Sequence, residues 1–428
     1  MAHGSIALVA AMRLGEAAWL GVLRAASGEL FGSPLSVIAA SGDDLSDATA
    51  RRAAPGDGVA SMLLRVLTAA QDGPNANASG VGDTGFAITG LGQTTGDMGQ
   101  AERPMLVDQT HESVVVGERV VVKWAVRAEA TPASTLVAHL AEARFDQMAR
   151  PWGFVTWDTG ADETVLLASA VQFLEGASDG WSWTVGDAGD YAADQTGLNN
   201  ATVPLVSVGE LVADLHIAMA TSTSVISAPR SEATASDVVS WQDLARQLLA
   251  EAVHEVDGAE GERLRDAAPR IEAAVDALRH VRGTPIIPVH GDLHVGQILR
   301  WRDGYAVGDF DGNPVLPVSA RLAPQPAARD VAGMLQSLDH VGRVVNRRVD
   351  GASPSRTEQW IEAAQSTFLD AYLSRLSQRG HAELFDQRLV VPFRFEQECR
   401  EYLYAVRHLP RWRYVPDQAL TALLSTVD

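Results

Sequence analysis

Apolar and polar positions change rhythm along the 428-residue chain, and the changes divide it. Near the N-terminus, short apolar runs at Ile6–Ala11 and Leu35–Ala40 predict strands, and Val59–Ala70 has the spacing of an amphipathic helix. Residues 72–104 are rich in Gly, Asn, Asp and Thr and read as loops or long-turned hairpins. β-Branched residues then dominate: Ser113–Val116, a turn at Gly117–Glu118 and Val120–Ala125 predict a hairpin. A helix over Ser134–Met148 follows, then strands at Gly153–Asp158 and Glu163–Ala168, which lead through Val171–Leu174 to a turn at Glu175–Gly176.

Beyond that turn the period becomes helical. Val206–Met219, Val238–Ala252, Leu264–Val281, Thr357–Leu376 and Val390–Leu409 carry apolar residues at helical spacing, and Pro410 stops the last. The Ser/Thr/Ala-rich stretch Thr221–Asp237 reads as a mobile connector. No repeat of 20–50 residues is present. The expected organisation is an N-terminal cap over 1–95, a β-rich lobe over 96–175 and a helical lobe over 176–428.

Length fits this division, since about 150 residues per domain gives two to three domains. The formal charge of −20, with no dense cluster of Lys or Arg, argues against nucleic acid or an anionic membrane surface as partner. The single cysteine, Cys399, rules out a disulfide framework and a cysteine zinc site and fits a reducing cytoplasm. Ser5–Met12 is apolar but short, without the basic start of a signal peptide. No stretch reads as approaching the ~20 apolar residues of a membrane span.

Chemistry concentrates in Val289-His290-Gly291-Asp292-Leu293-His294-Val295-Gly296-Gln297-Ile298-Leu299 and in Val307-Gly308-Asp309-Phe310-Asp311-Gly312. Both acidic clusters end short apolar runs, so loops held by strands would carry the site. Phosphoryl transfer needs one carboxylate to orient the attacking hydroxyl, and a carboxamide with a second carboxylate to hold Mg²⁺ on the phosphates. Asp292 fits the first role, and Gln297 and Asp309 the second. His290 and His294 lie four apart without a third ligand and are expected to brace the loop.

These two segments resemble the catalytic and metal loops of aminoglycoside-phosphotransferase-like kinases. With Gln297 where Asn is usual, they look most like bacterial maltokinases and glucosamine kinases. Ala328–Leu335 and Tyr404–Trp412 are similar to later segments of the same family. The resemblance implies an α+β, bilobal, protein-kinase-like fold, with ATP and Mg²⁺ as cofactors. Asp311 would be a further metal ligand. Lys123, on a strand of the β-rich lobe, would bind the nucleotide phosphates, although the glutamate partner usual in the fold is not evident: Glu142 lies on the next helix, but the family position falls near Thr135. The turn Gln109–Ser113, ending at Ser113, would cover the phosphates, and the backbone of Gln172, Phe173 and Leu174 would meet adenine. Gly80–Gly85 spells G-x-G-x-x-G, but it follows no strand and opens no helix, so it is set aside.

The acceptor is sought on the last long helix. Phe395, Cys399, Tyr402 and Val406 share an apolar face, and Gln397, Glu401, Tyr404 and His408 lie opposite. With Trp412 and His294, this face would suit a sugar, and Glu396, on a different face, is a second carboxylate that could reach the cleft edge. Glu401 could pair with the 2-ammonium of glucosamine, a charge-assisted bond that a neutral sugar cannot offer. Arg394–Tyr402 also looks more like the glucosamine-kinase branch. The expected activity is 6-phosphorylation of glucosamine by ATP, in a cytoplasmic monomer or homodimer. Maltose, or an aminoglycoside or other amino sugar, is the alternative acceptor, and a silent sugar sensor the non-enzyme alternative.

Overall fold

A computed structural model describes residues 6–39, 49–70, 80–81, 85–92, 101–105, 111–160 and 163–426. Gln109 and Thr110 of the expected phosphate-covering turn, Gly82–Thr84 of the glycine motif and most of the 72–104 loop region lie outside these. The chain forms two compact units. One takes Met1–Ala141, Met148–Gly176 and Leu316–Arg321; the other takes Glu142–Gln147, Ala177–Val315 and Leu322–Asp428.

The first unit contains two antiparallel sheets. The five-stranded sheet runs Thr49–Arg52, Leu30–Ala39, Ala18–Arg24, Ala7–Arg13, Gly80–Val81. The six-stranded sheet runs Phe86–Gly90, Pro151–Asp158, Thr164–Gln172, Val120–Ala125, His111–Val116, Glu102–Pro104. Phe86–Gly90, inside the expected cap, therefore belongs to the sheet of the β-rich lobe, where it pairs with Pro151–Asp158. A single core joins Met12, Leu20 and Val22 of one sheet, Val114, Val122, Trp124, Val155 and Leu167 of the other, and Leu63, Leu64 and Leu67 of the helix Val59–Ala69. Sheets with one apolar face must bury it. Here the cap and the β-rich lobe bury theirs together.

The Val59–Ala69 helix begins at Gly58, which has no side chain to cap it. Glu102 supplies the cap from far along the chain: its carboxylate accepts from the N–H groups of Gly56, Gly58 and Ser61 at 2.9, 3.1 and 2.8 Å. A carboxylate at the positive end of a helix is well placed. The hairpin turn sits at Gly117 and Glu118, both left-handed, and pairs Ser113 with Lys123. The helix expected over Ser134–Met148 is shorter, Ala133–Glu142, and the chain turns left-handed at Arg144 just beyond it.

The second unit is mostly helical. Pro204–Met219, Ala235–Glu255, Gly258–Ala277, Pro354–Gln378 and Val390–His408 fall where periodicity placed helices. Four more did not show in the pattern: Gly180–Ala192, the short Leu198–Thr202, Ala328–Arg348 and Tyr414–Ser425. Ala328–Arg348 is buried almost all round although Asp330, Gln336, Asp339, His340 and Arg343 are among its buried residues, so polar core positions broke the apolar rhythm. The connector Thr221–Asp237 is not a mobile link. Ser224 donates to Glu142 from its N–H and hydroxyl, both at 2.7 Å, and Thr234 with Asp237 forms a capping box that starts the next helix. Leu198–Met219, with a mean hydropathy of 1.4, corrects the reading that no stretch is apolar and long enough to span a bilayer. Most of it is buried, and its apolar residues pack on Pro354–Gln378, which accounts for the composition.

Candidate active site

The segment His290–Ile298 is gripped by its backbone. Asp330, fully buried, accepts from the N–H groups of His290 and Gly291 at 2.8 and 2.9 Å and also faces His216 Nε2 at 3.2 Å. His216 Nδ1 in turn meets the Tyr372 hydroxyl at 2.8 Å. Burial alone would raise the Asp330 carboxyl. The hydrogen bond and charge of His216, with His290 and the Gly291 N–H, outweigh it and hold Asp330 below the usual carboxylate range. Further along, the Val295 N–H donates to Ser337 Oγ, and Trp183 Nε1 donates to the Ile298 carbonyl, both at 3.0 Å. Two helices touch the loop through glycine: a Cβ on Gly180 would lie 1.6 Å from the Val295 carbonyl oxygen, and one on Gly333 2.5 Å from that of Leu293. Only residues without side chains permit such packing.

His290 ties this loop to the one that carries Asp309. Its Nε2 lies 2.9 Å from the Gly308 carbonyl, its Nδ1 3.4 Å from the Asp292 N–H, and its ring packs on Phe310. His294 Nδ1 accepts from Gly296 N–H at 3.0 Å, and its Nε2 stands 3.3 Å from the amide nitrogen of Gln297. That amide is 3.4 Å from Asp309 Oδ2. Asp309 itself is left-handed, at φ 64°, which turns the chain sharply at the site. Among the described residues no three His, Cys, Asp or Glu side chains converge as a metal cage. A carboxamide beside one carboxylate is instead the sparse donor set by which Mg²⁺ is held while it keeps waters and phosphate oxygens. The residues present fit that ion.

Asp292 opens on a cleft lined also by His294, Arg329, Glu396, Gln397 and Arg400. Burial pushes its carboxyl up; His294, His290 and Arg400 pull the other way. Asn313 donates to its Oδ1 at 2.8 Å. Glu396 is buried beneath the cleft, with Oε1 bound to Arg329 and, at 2.7 Å, to Arg400, while Oε2 has no hydrogen-bond partner among the described residues. Such an oxygen is costly to bury unless something completes it.

The other acceptor candidates divide. Gln397 lines the cleft; its amide donates to Glu401 and its carbonyl accepts from Arg400, both at 3.0 Å. Glu401 is one shell back, outside the lining. Tyr404 is exposed and packs on His408, while Trp412 packs on Trp181 with Arg348 over its ring. Neither aromatic lines the cleft with Asp292.

In the first unit, Lys123 stands opposite Ser113 and Ser169 in the sheet, on the face away from Val122 and Trp124 of the core. The Gln172 and Phe173 N–H groups donate to the Arg150 and Arg119 carbonyls, Arg103 stacks over the Phe173 ring, and Leu174 is buried.

Sequence reasoning assigned no role to Asp330, Asn313, Arg329 or Arg400. An aspartate inside the apolar run Val331–Leu335 and its preceding alanines was a visible signal for the first. The other three depend on which way a helix or turn faces.

No family model matches the chain. A glucosamine kinase of Streptacidiphilus jiangxiensis is 48% identical over 426 residues, 98% of this chain and 92% of its own. A glucosamine kinase of Mycolicibacterium smegmatis is 40% identical over 376 residues, 87% of this chain and 90% of its own. Among solved structures, a glucosamine kinase in complex with glucosamine, ADP and inorganic phosphate superposes with a TM-score of 0.82 at 45% identity, covering 98% of this chain and 94% of that one. A crystal form of glucosamine kinase gives 0.85 at 45%, covering 99% and 94%.

Proposed function

The chain belongs to the glucosamine kinase family, and from that premise we propose that it transfers the γ-phosphoryl group of ATP to the 6-hydroxyl of D-glucosamine, giving ADP and D-glucosamine 6-phosphate. The observation that carries the reading is the cleft that presents the Asp292 carboxylate beside the buried, half-satisfied carboxylate of Glu396. Asp292 accepts the hydroxyl proton as the oxygen attacks phosphorus and the bond to the bridging oxygen of ADP breaks. Gln297, Asp309 and Asp311 would hold Mg²⁺, which neutralises charge on the β- and γ-phosphates. Lys123 binds the phosphates, Ser113 lies beside them, and the Gln172–Leu174 strand end takes adenine.

Glu396 is the better partner for the 2-ammonium than Glu401. Its Oε2 lacks a donor among the described residues and it lines the cleft with Asp292, whereas Glu401 lies outside that lining. His294 and Gln397 hold sugar hydroxyls, and Tyr404, Trp412 and Glu401 support the wall from outside. The convergence of Asp292, Gln297 and Asp309 supports turnover over a silent sensor. A reducing, ATP-rich cytoplasm suits the chemistry and the single buried cysteine. ADP release over glucosamine, glucose, N-acetylglucosamine, maltose and aminoglycosides tests the proposal, with product NMR to locate the phosphate. Glucosamine should give the highest kcat/KM, and N-acetylglucosamine, without the charge, far less. Faster turnover of maltose would overturn it.

A further inference from the structure

We infer that Asn313 is a positioning residue for phosphoryl transfer: it fixes the rotation of the Asp292 carboxylate and leaves one defined oxygen, Oδ2, for the acceptor hydroxyl. The inference rests on the reading of Asp292 as the proton acceptor.

The orientation of the Asn313 amide is settled by its two partners. Its Oδ1 accepts from the Val315 N–H at 3.1 Å, so its nitrogen must face Asp292, and Nδ2 donates to Asp292 Oδ1 at 2.8 Å. A flipped amide would set an N–H against an N–H and an oxygen against a carboxylate. Asn313 is 6% exposed, so the bond is protected from water and the side chain has little room to rotate.

The contact is also built into the backbone. Gly291 and Gly312 are both left-handed, at φ 80° and 71°, and a Cβ on Gly291 would lie 3.7 Å from the Gly312 Cα. The two loops thus pass close together one residue before Asp292 and one before Asn313. Asp309 and Gly312, both left-handed, turn the chain back so that Asn313 returns to Asp292. One side chain therefore makes the aim of the proton acceptor depend on the loop that carries Asp309.

The energetic reason is orientation. A carboxylate can rotate about χ2 among broad minima, and small errors in aim are expensive in rate. The Asn313 donor removes that freedom at Oδ1 and costs Oδ2 nothing.

Three variants test this. Asn313→Asp is isosteric and keeps the acceptor for the Val315 N–H, but it replaces the donor with an oxygen that repels Asp292. Its kcat should fall about 100-fold, with KM for ATP and for glucosamine within about threefold, while the melting temperature falls too because the new carboxylate is buried beside another. Asn313→Ser restores a small donor and should recover about tenfold of that loss. A kcat for Asn313→Asp within about threefold of the parent overturns the inference. So does a loss of kcat accompanied by loss of ATP binding, because the damage then lies in the Asp309 loop. Asp292→Asn is the control: if it turns over normally, the reading of Asp292 fails before that of Asn313.

Discussion

The catalytic loop and the acceptor wall belong to the same helical unit but are held in opposite ways. From His290 to Ile298 the backbone itself is fastened, by Asp330, Ser337 and Trp183, and two glycines let the supporting helices press directly on it. The wall on Val390–His408 is fastened through charges: Arg329 and Arg400 on Glu396, His340 on Glu398, and Gln397 between Glu401 and Arg400. Backbone bonds do not depend on the side chain at the bonded position, so the loop's geometry is insulated from changes in its own sequence. Ion pairs depend on both partners, so the wall can be retuned by one substitution. On the proposed reading, chemistry would be set by the first kind of support and acceptor choice by the second.

The largest break in that comparison should come at Asp292. Asp292→Asn removes the proton acceptor while keeping size and the Asn313 contact as an acceptor oxygen. A fall in kcat of about 10³-fold or more, with ATP affinity retained by calorimetry, is expected. Substantial residual turnover would remove Asp292 from its role. Next is Asp330→Ala, which strands two loop N–H groups and His216 in the interior. Each buried orphan costs about 1–3 kcal/mol, so urea unfolding should show a loss of about 3 kcal/mol or more, larger than for any single residue of the wall. A loss under about 1 kcal/mol would mean that the loop is held elsewhere.

How much of this was readable beforehand follows the same divide. Asp292, Gln297 and Asp309 are recognisable because phosphoryl transfer needs those groups at short spacing, and the local chain delivers them. The strand around Lys123 is equally legible, because three consecutive valines form a buried strand and little else. The wall was not legible in this way. A helical wheel set Glu401 with Gln397 on the polar face and left Glu396 on a different face as a second carboxylate at the cleft edge, but the helix Ala328–Arg348 that meets it is itself polar and buried. Arg329 and Arg400 turn Glu396 into the inward carboxylate. Asn313 was hidden because its partner is reached only through two left-handed turns, which spacing does not encode. The cap boundary near residue 95 missed a strand that belongs to the second sheet for the same reason: Phe86–Gly90 finds its partner more than 60 residues later.

A smaller effect separates the two glutamates. Glu396→Gln keeps the volume but removes the charge that would meet an ammonium, and it leaves Arg329 and Arg400 unneutralised. KM for glucosamine should rise about tenfold or more, with kcat less affected. Glu401→Gln should change KM by less than about threefold. The reverse ranking in steady-state kinetics would return the ammonium to Glu401 and leave Glu396 as a structural ion.

The smallest expected effect is one of pH, and it again opposes loop and wall. Burial alone would depress the His340 imidazolium, but Glu398 at 2.9 Å, with Glu401 and Asp339 nearby, raises it from 6.5 to about 9. Burial pushes Glu398 from 4.5 to about 7 against the pull of His340. The His340 contribution to stability is therefore complete below about 6.5 and is lost as pH rises through 9. Glu398 adds the same sign between 4.5 and 7, where the folded chain binds the extra proton. Asp330, held low, works the other way, and its contribution disappears only as pH falls below its ordinary range near 3.8. The wall should thus soften in alkali and the loop in acid. Replacing both partners, His340→Gln with Glu398→Gln, keeps a neutral pair that can still hydrogen-bond and removes both titrations. Thermal melts between pH 6.5 and 9 should show the parent losing several degrees more than the double variant, and parallel slopes would show that the buried pair does not govern the alkaline limb.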